Sequence, residues 1–233
     1  MEKVIAALWA APDQNRPGFN AQLVQSLPAA LRAAGASKVR LNLRDVAVEP
    51  AHRLIQQWQA PQQDAVVQFW VPSANAIFRT AIDAALSAHS GRFAAWLVAE
   101  STIIPNHAHP MPTGTRGWGW SQASFITFRP DLTRIEAIKA WHSHHTRVAI
   151  DTQANFEYVQ NLIVRPLTQD APAYDAFVEE CFPAEAMDDP AAFFDAAGDP
   201  AKLQANLATM MDSCSRFIDF TRIDIIPTSQ YDC

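Results

Sequence analysis

The residues best suited to chemistry concentrate in one short run. Residues 141 to 148 read WHSHHTRV, and three of the seven histidines in the chain fall within four of its positions. Histidine changes charge near pH 6.5, so such a run suits proton transfer or metal ligation. On a helix over 133–150 at about 100° per residue, Ile135, Ile138, Trp141, His142, His145, Val148 and Ala149 share one side. Glu136, Lys139, Ser143 and Arg147 gather on the other. His145 sits mid-stripe, His142 at one margin, and His144 off the far side. Burial favours a neutral imidazole, so His145 is the candidate general base, with His142 or Tyr158 returning the proton.

A metal would have to use His142 and His145 at i, i+3, with His107 or His109 of the HAH loop as third ligand. The inward helix face carries no carboxylate, and the spacing matches no zinc signature, so neither metal nor cofactor is expected. Asn161 could hold a substrate carbonyl, although it and Tyr158 point to opposite faces of their strand. Trp118 and Trp120 of RGWGW supply two aromatic plates that could close over an aromatic molecule or plug the core. Trp141 and His144 complete the candidate substrate-binding set. Cys181 lies beside Glu179 and Glu180, which would raise rather than lower its pKa, so covalent catalysis is disfavoured.

These residues need a scaffold, and the hydrophobic pattern supplies a repeated one. Strands are expected at 3–10, 38–48, 64–72 and 92–105, with helices at 19–34 and 74–88, the first stopped by Gly35 and the second capped by Ser73. In 38–48, Val39, Leu41 and Leu43 alternate with Arg40, Asn42 and Arg44, as in a half-buried strand. The order then recurs: strand 122–130, the histidine helix opened by Asp131 or Thr133, strands 156–167 and 174–182, a helix near 200–215, and a closing strand at 216–228. An echo of RF…IIP links 92–105 to 216–227. The reading is α+β, with two fused ferredoxin-like βαββαβ halves at 1–112 and 119–233 whose apolar sheet faces cover each other.

Trp141 followed by three residues and His145, then YVQN at Tyr158–Asn161, resembles the EthD-like group of dimeric α+β barrel proteins. YDAFVEECF at 174–182 and SRFIDF at 215–220 extend the likeness across roughly 121–228. The first half reads as a diverged copy with an apolar residue such as Leu27 in the histidine's place, making the whole a pseudo-dimer. Family members usually carry a Gly/Ala-Pro-Leu-like stretch after the histidine, whereas this chain has Thr146-Arg147-Val148. The resemblance implies a pocket between helix and sheet. It also implies cofactor-free lyase, dehydratase, isomerase or small-monooxygenase chemistry on aromatic or lactone substrates, although relatives without known activity leave a binding protein open.

Composition bounds the rest. The chain of 233 residues is 49% apolar and 18% charged, enough for a core. A net charge of −6 without a Lys/Arg stripe argues against nucleic acid. No run reaches the 18 apolar residues of a membrane span, and the opening apolar run reads as a buried strand rather than a signal peptide. Three widely spaced cysteines suit a reducing cytoplasm. Phe193 and Phe194 pack down the acidic insertion at 183–200, which could also offer a homodimer contact.

Overall fold

Eight runs of alternating or continuous apolar residues become strands: β1 (Glu2–Trp9), β2 (Ser37–Leu43), β3 (Ala65–Val71), β4 (Arg92–Ile104), β5 (Trp120–Ile126), β6 (Glu157–Pro166), β7 (Ala176–Phe182) and β8 (Asp224–Asp232). The computed structural model describes residues 1–233. All pairings are antiparallel, and the sheet closes in the order β1-β3-β2-β8-β5-β7-β6-β4. Closure leaves no open edge for another chain to extend. The seams between the first four and last four strands are β2–β8 and β4–β6.

Helices α1 (Arg16–Ala33) and α2 (Ala76–Ala88) cover the outside of β1–β4. Pro17 lies in the first turn of α1, where its missing N–H costs nothing. Gly35 ends that helix at φ +96°, a conformation that penalises residues with a Cβ. Asn75, not Ser73, occupies the cap position of α2; the Ser73 hydroxyl instead accepts the Asn75 N–H at 3.3 Å. Outside β5–β8 lie α3 (Arg134–Ala140), a π turn (Trp141–His145), α4 (Thr146–Thr152), the short α5 (Pro190–Phe193) and α6 (Pro200–Ser215).

Three expectations about the strands need correction. A 3-10 segment, Val46–Leu54, follows β2 where a longer strand was expected. The last strand begins at Asp224 rather than at 216, because Asp219 accepts hydrogen bonds from both the Thr221 N–H and hydroxyl and turns the chain. Arg216 and Phe217 therefore lie outside the strand, and the RF…IIP echo does not mark equivalent positions. Finally, Arg40 and Asn42 point into the barrel, not to solvent. The interior has an apolar layer that includes Ile5, Trp96, Phe125 and Phe177. Beside it lies a polar layer centred on Glu179, which accepts hydrogen bonds from Asn42, Ser121, Gln230, Gln68 and Arg40. Burial alone would raise the Glu179 pKa, but the Arg40 charge and these donors more than offset it and hold it at about 2.

Candidate active site

The histidine helix is not continuous. Thr133 opens α3 with a reciprocal capping box to Glu136. The next turn widens: the Thr146 N–H reaches back five residues to the Trp141 carbonyl, and the Thr146 hydroxyl donates to the same oxygen at 3.1 Å. Ala137, Trp141, His145 and Ala149 are all buried, one every four residues. On a straight α-helix such a stripe would wander by about 40° per step, and the wide turn takes up part of that drift. Ile135, expected inward, is 80% exposed beside the cap.

His145 lines a cavity of about 570 Å³ between this helix, α6 and the outer face of β5–β8. That volume lies within the usual range for a small-molecule site. Most of the lining is apolar, with Trp141, Phe217, Met210 and Ile126 among the walls. Phe193 and Phe194, from the 183–200 insertion, close one end as well as packing the insertion down. Leu207, Met211 and Phe220 also line the cavity and remain partly exposed, forming its mouth.

Arg53, Gln56, Gln122, Ser124, Gln153 and Asp188 add polar side chains to the lining. His145 Nδ1 lies 3.1 Å from the Ser213 hydroxyl of α6 and 3.9 Å from Cys214 Sγ. Burial, with a small contribution from His144, lowers the His145 pKa to about 4, so the ring is neutral at neutral pH. Glu180 enters the cavity from β7, and its carboxylate has one hydrogen-bond donor, Asn155 at 3.1 Å. Burial raises its pKa to about 7 against the weaker effect of that bond. Tyr158 also lines the cavity and accepts a hydrogen bond from Gln160 at 2.7 Å. Burial, and then the Glu180 charge, push its phenol well above the ordinary range. The Cys214 thiol is likewise raised by burial, to about 12.

The structure thus brings together His145, Trp141 and Tyr158 from the expected set. The others lie elsewhere. His142 is exposed and rests its ring on Trp141 at 4.8 Å between centroids, outside the cavity lining. His144 is half-buried and also outside it. Asn161 points into the barrel, as strand alternation requires, and neither of its side-chain polar atoms has a hydrogen-bond partner. Trp118 stacks on His109 at 3.7 Å and is half-exposed. Trp120 is buried against Phe182, as part of the strand wall rather than a lid. Gly119 between them has φ +69°, and a Cβ there would fall 2.1 Å from the Phe182 carbonyl oxygen. No three His, Cys, Asp or Glu side chains converge in a metal-ligating group.

Glu180 is not among the expected site residues, although the sequence carries a signal for it. Two adjacent carboxylates in the otherwise apolar strand AFVEECF must point to opposite faces, and both faces are buried. Cys181, raised far above its usual range by burial and then by Glu179, behaves as expected.

With this geometry, the likeness to known proteins can be placed. Residues 129–221 match the EthD domain family model, which takes in the capped helix, the π turn, Glu180 and α6 but spans less than half of the chain. Two solved structures share the fold over nearly the whole length. One is described as an anthrone oxidase-like protein, with a TM-score of 0.53, 8% identity, and coverage of 99% of this chain and 93% of that one. The other is a candidate monooxygenase from Lactobacillus acidophilus NCFM, with a TM-score of 0.50, 9% identity, and coverage of 98% and 93%. At such identities the likeness speaks for the fold alone. No curated protein matches the sequence, and no helix is long and apolar enough to cross a membrane.

Proposed function

We propose that the chain is an enzyme of the lyase, dehydratase or isomerase type, acting on a small apolar, aromatic molecule by proton transfer between that molecule and its own side chains. The observation that carries this reading is the convergence of two buried titratable groups, His145 and Glu180, on one largely apolar cavity, where burial drives their pKa values to about 4 and about 7. Separated pKa values of this kind assign distinct proton-handling roles. A carboxyl near 7 is matched to abstracting a proton at neutral pH. An imidazole near 4 is a weak base and serves better as a neutral hydrogen-bond donor.

The tautomer fits that division. If the buried Ser213 hydroxyl donates to His145 Nδ1, no hydroxyl proton is left unpaired, and Nε2–H is free to donate toward the cavity. The Glu180 carboxylate then takes a proton from carbon beside a carbonyl or phenol. The C–H electron pair moves into the adjacent C–C bond, and the negative charge developing on oxygen is met by His145 Nε2–H. The Glu180 acid returns its proton to another carbon, or to a leaving group. Trp141 and Phe217 would pack the aromatic body. Glu180 thereby takes both the base role expected of His145 and the proton return expected of His142 or Tyr158, and His145 becomes the hydrogen-bond donor.

The scaffold reading belongs with this proposal. The elements at 1–112 and 119–233 are two ferredoxin-like halves fused as a pseudo-dimer. Its support is that each set runs βαββαβ and carries the same local order, β4-β1-β3-β2 and β8-β5-β7-β6.

The test is hydrogen–deuterium exchange at substrate carbon in D2O, followed by NMR over a panel of phenolic and aromatic carbonyl compounds. Wild type should exchange at least one compound, and Glu180→Gln should slow that exchange by about 10²–10⁴-fold. His145→Ala should also lose rate, while His144→Ala stays near normal. Binding without exchange in wild type would identify a non-catalytic binding protein. Equal exchange in all variants would remove both residues from the chemistry.

A further inference from the structure

A second cavity, of about 480 Å³, opens at one end of the barrel interior, on the opposite sheet face from His145. One charged group in it stands apart. Lys38, Lys139 and Lys202 are exposed, and Lys3 alone among the four lysines is buried. Its ammonium lies 2.6 Å from Glu100 Oε2, and the two side chains are 6% and 25% exposed. An ammonium has three N–H groups, and Glu100 accepts from one, so two remain for a guest in the cavity. Trp70, Pro105, Met111 and Val159 give the same cavity an apolar wall.

We propose that Lys3 condenses reversibly with a small aldehyde or ketone in this cavity, forming a Schiff base, with Glu100 as the proton carrier. Glu100 first takes one ammonium proton. The freed nitrogen lone pair attacks the carbonyl carbon, and the C=O electron pair moves to oxygen. Glu100 returns its proton there and then takes one from the nitrogen, which attack left positively charged, giving a neutral carbinolamine. It passes that proton to the hydroxyl, and the nitrogen lone pair forms C=N as the C–O bond breaks, so that water leaves and a protonated Schiff base remains. No oxidant or reductant is consumed. Burial also lowers the Lys3 pKa despite the Glu100 partner, with neighbouring Arg40 adding to the effect, so the neutral amine is easier to reach than on an exposed lysine. The surrounding carboxylates do not disfavour a neutral carbonyl compound as they would an anion.

The experiment treats the full chain with propanal and sodium cyanoborohydride, which reduces an imine to a stable amine, and maps the adducts by peptide mass spectrometry. Fragment ions separate Lys3 from the Met1 α-amine. The expected result is labelling at Lys3 at least tenfold faster than at Lys38, Lys139 or Lys202. Glu100→Gln should slow Lys3 labelling at least tenfold while leaving the other three unchanged. Labelling that follows exposure, with Lys3 slowest or equal, would overturn the proposal. An undiminished Lys3 rate in Glu100→Gln would overturn the role given to Glu100. The wild-type comparison decides the main claim whether or not the variant folds.

Discussion

The helix–sheet space is filled in one half of the barrel and open in the other. Against α1 and α2, the outward positions of β1, β2 and β3 include Val4, Ala6, Leu8, Val39, Leu41, Leu43, Val67, Phe69 and Val71. They merge with Phe19, Leu23, Leu27 and Leu31 into a solid core of 19 buried residues. On β5, β6 and β7, the cavity-lining positions include Gln122, Ser124, Tyr158 and Glu180. One barrel thus holds both a close-packed helix–sheet space and an open one. The choice turns on whether polar groups replace aliphatic ones on a single sheet face, and on the π turn that lines up Trp141 and His145.

The sharpest way to break this comparison is to truncate one apolar side chain in each half. Leu27→Ala should cost about 2–5 kcal/mol, because it leaves a void in a closed core. Met211→Ala, at the partly exposed mouth of the cavity, should cost less than about 1 kcal/mol. Urea unfolding measures both, and equal losses would mean that the two spaces are packed alike.

A smaller effect concerns pH. Glu180 is protonated in the folded chain up to about pH 7, whereas an unfolded glutamate ionises near the ordinary 4.5. Between those values the folded state holds the extra proton, so this group makes stability fall as pH rises, by on the order of 3 kcal/mol in total. His145 works in the opposite sense: the unfolded chain binds its proton below about 6.5 and the folded chain only below about 4, so its contribution to stability is lost as pH falls through that interval. Subtracting the Glu180→Gln stability curve from that of wild type isolates the carboxyl. The difference should decline from pH 4.5 to 7 and then level off, and a flat difference would mean that Glu180 titrates normally.

The smallest expected effect is at the margin of the site. His142→Ala should change thermal stability by no more than about 0.5 kcal/mol and leave ligand binding intact, since the ring lies outside the cavity. A large loss of binding would return His142 to the site.

Much of this was legible in the one-dimensional pattern. Strand and helix positions follow from alternation and capping; α6 falls at 200–215 as expected, and Gly35 stops α1. The order βαββαβ could be read twice, and His145 could be singled out from its neighbours, because helical periodicity is a local property of the chain. The polar strand residues were harder. Arg40 and Asn42 alternate with aliphatics just as solvent-facing residues would, and only barrel closure turns that face inward, onto Glu179. Asn161 could be separated from Tyr158 by strand alternation, but the faces that hold the cavity were not decided until α6 packed down. The separate roles of Glu179 and Glu180 depend on surroundings assembled from distant segments: five donors hold the first ionised, and one donor in an apolar cavity leaves the second near neutrality. Sequence alone determines which residues share a face. Tertiary structure decides what that face meets, because desolvation and hydrogen bonding depend on everything packed around a group, not on its neighbours along the chain.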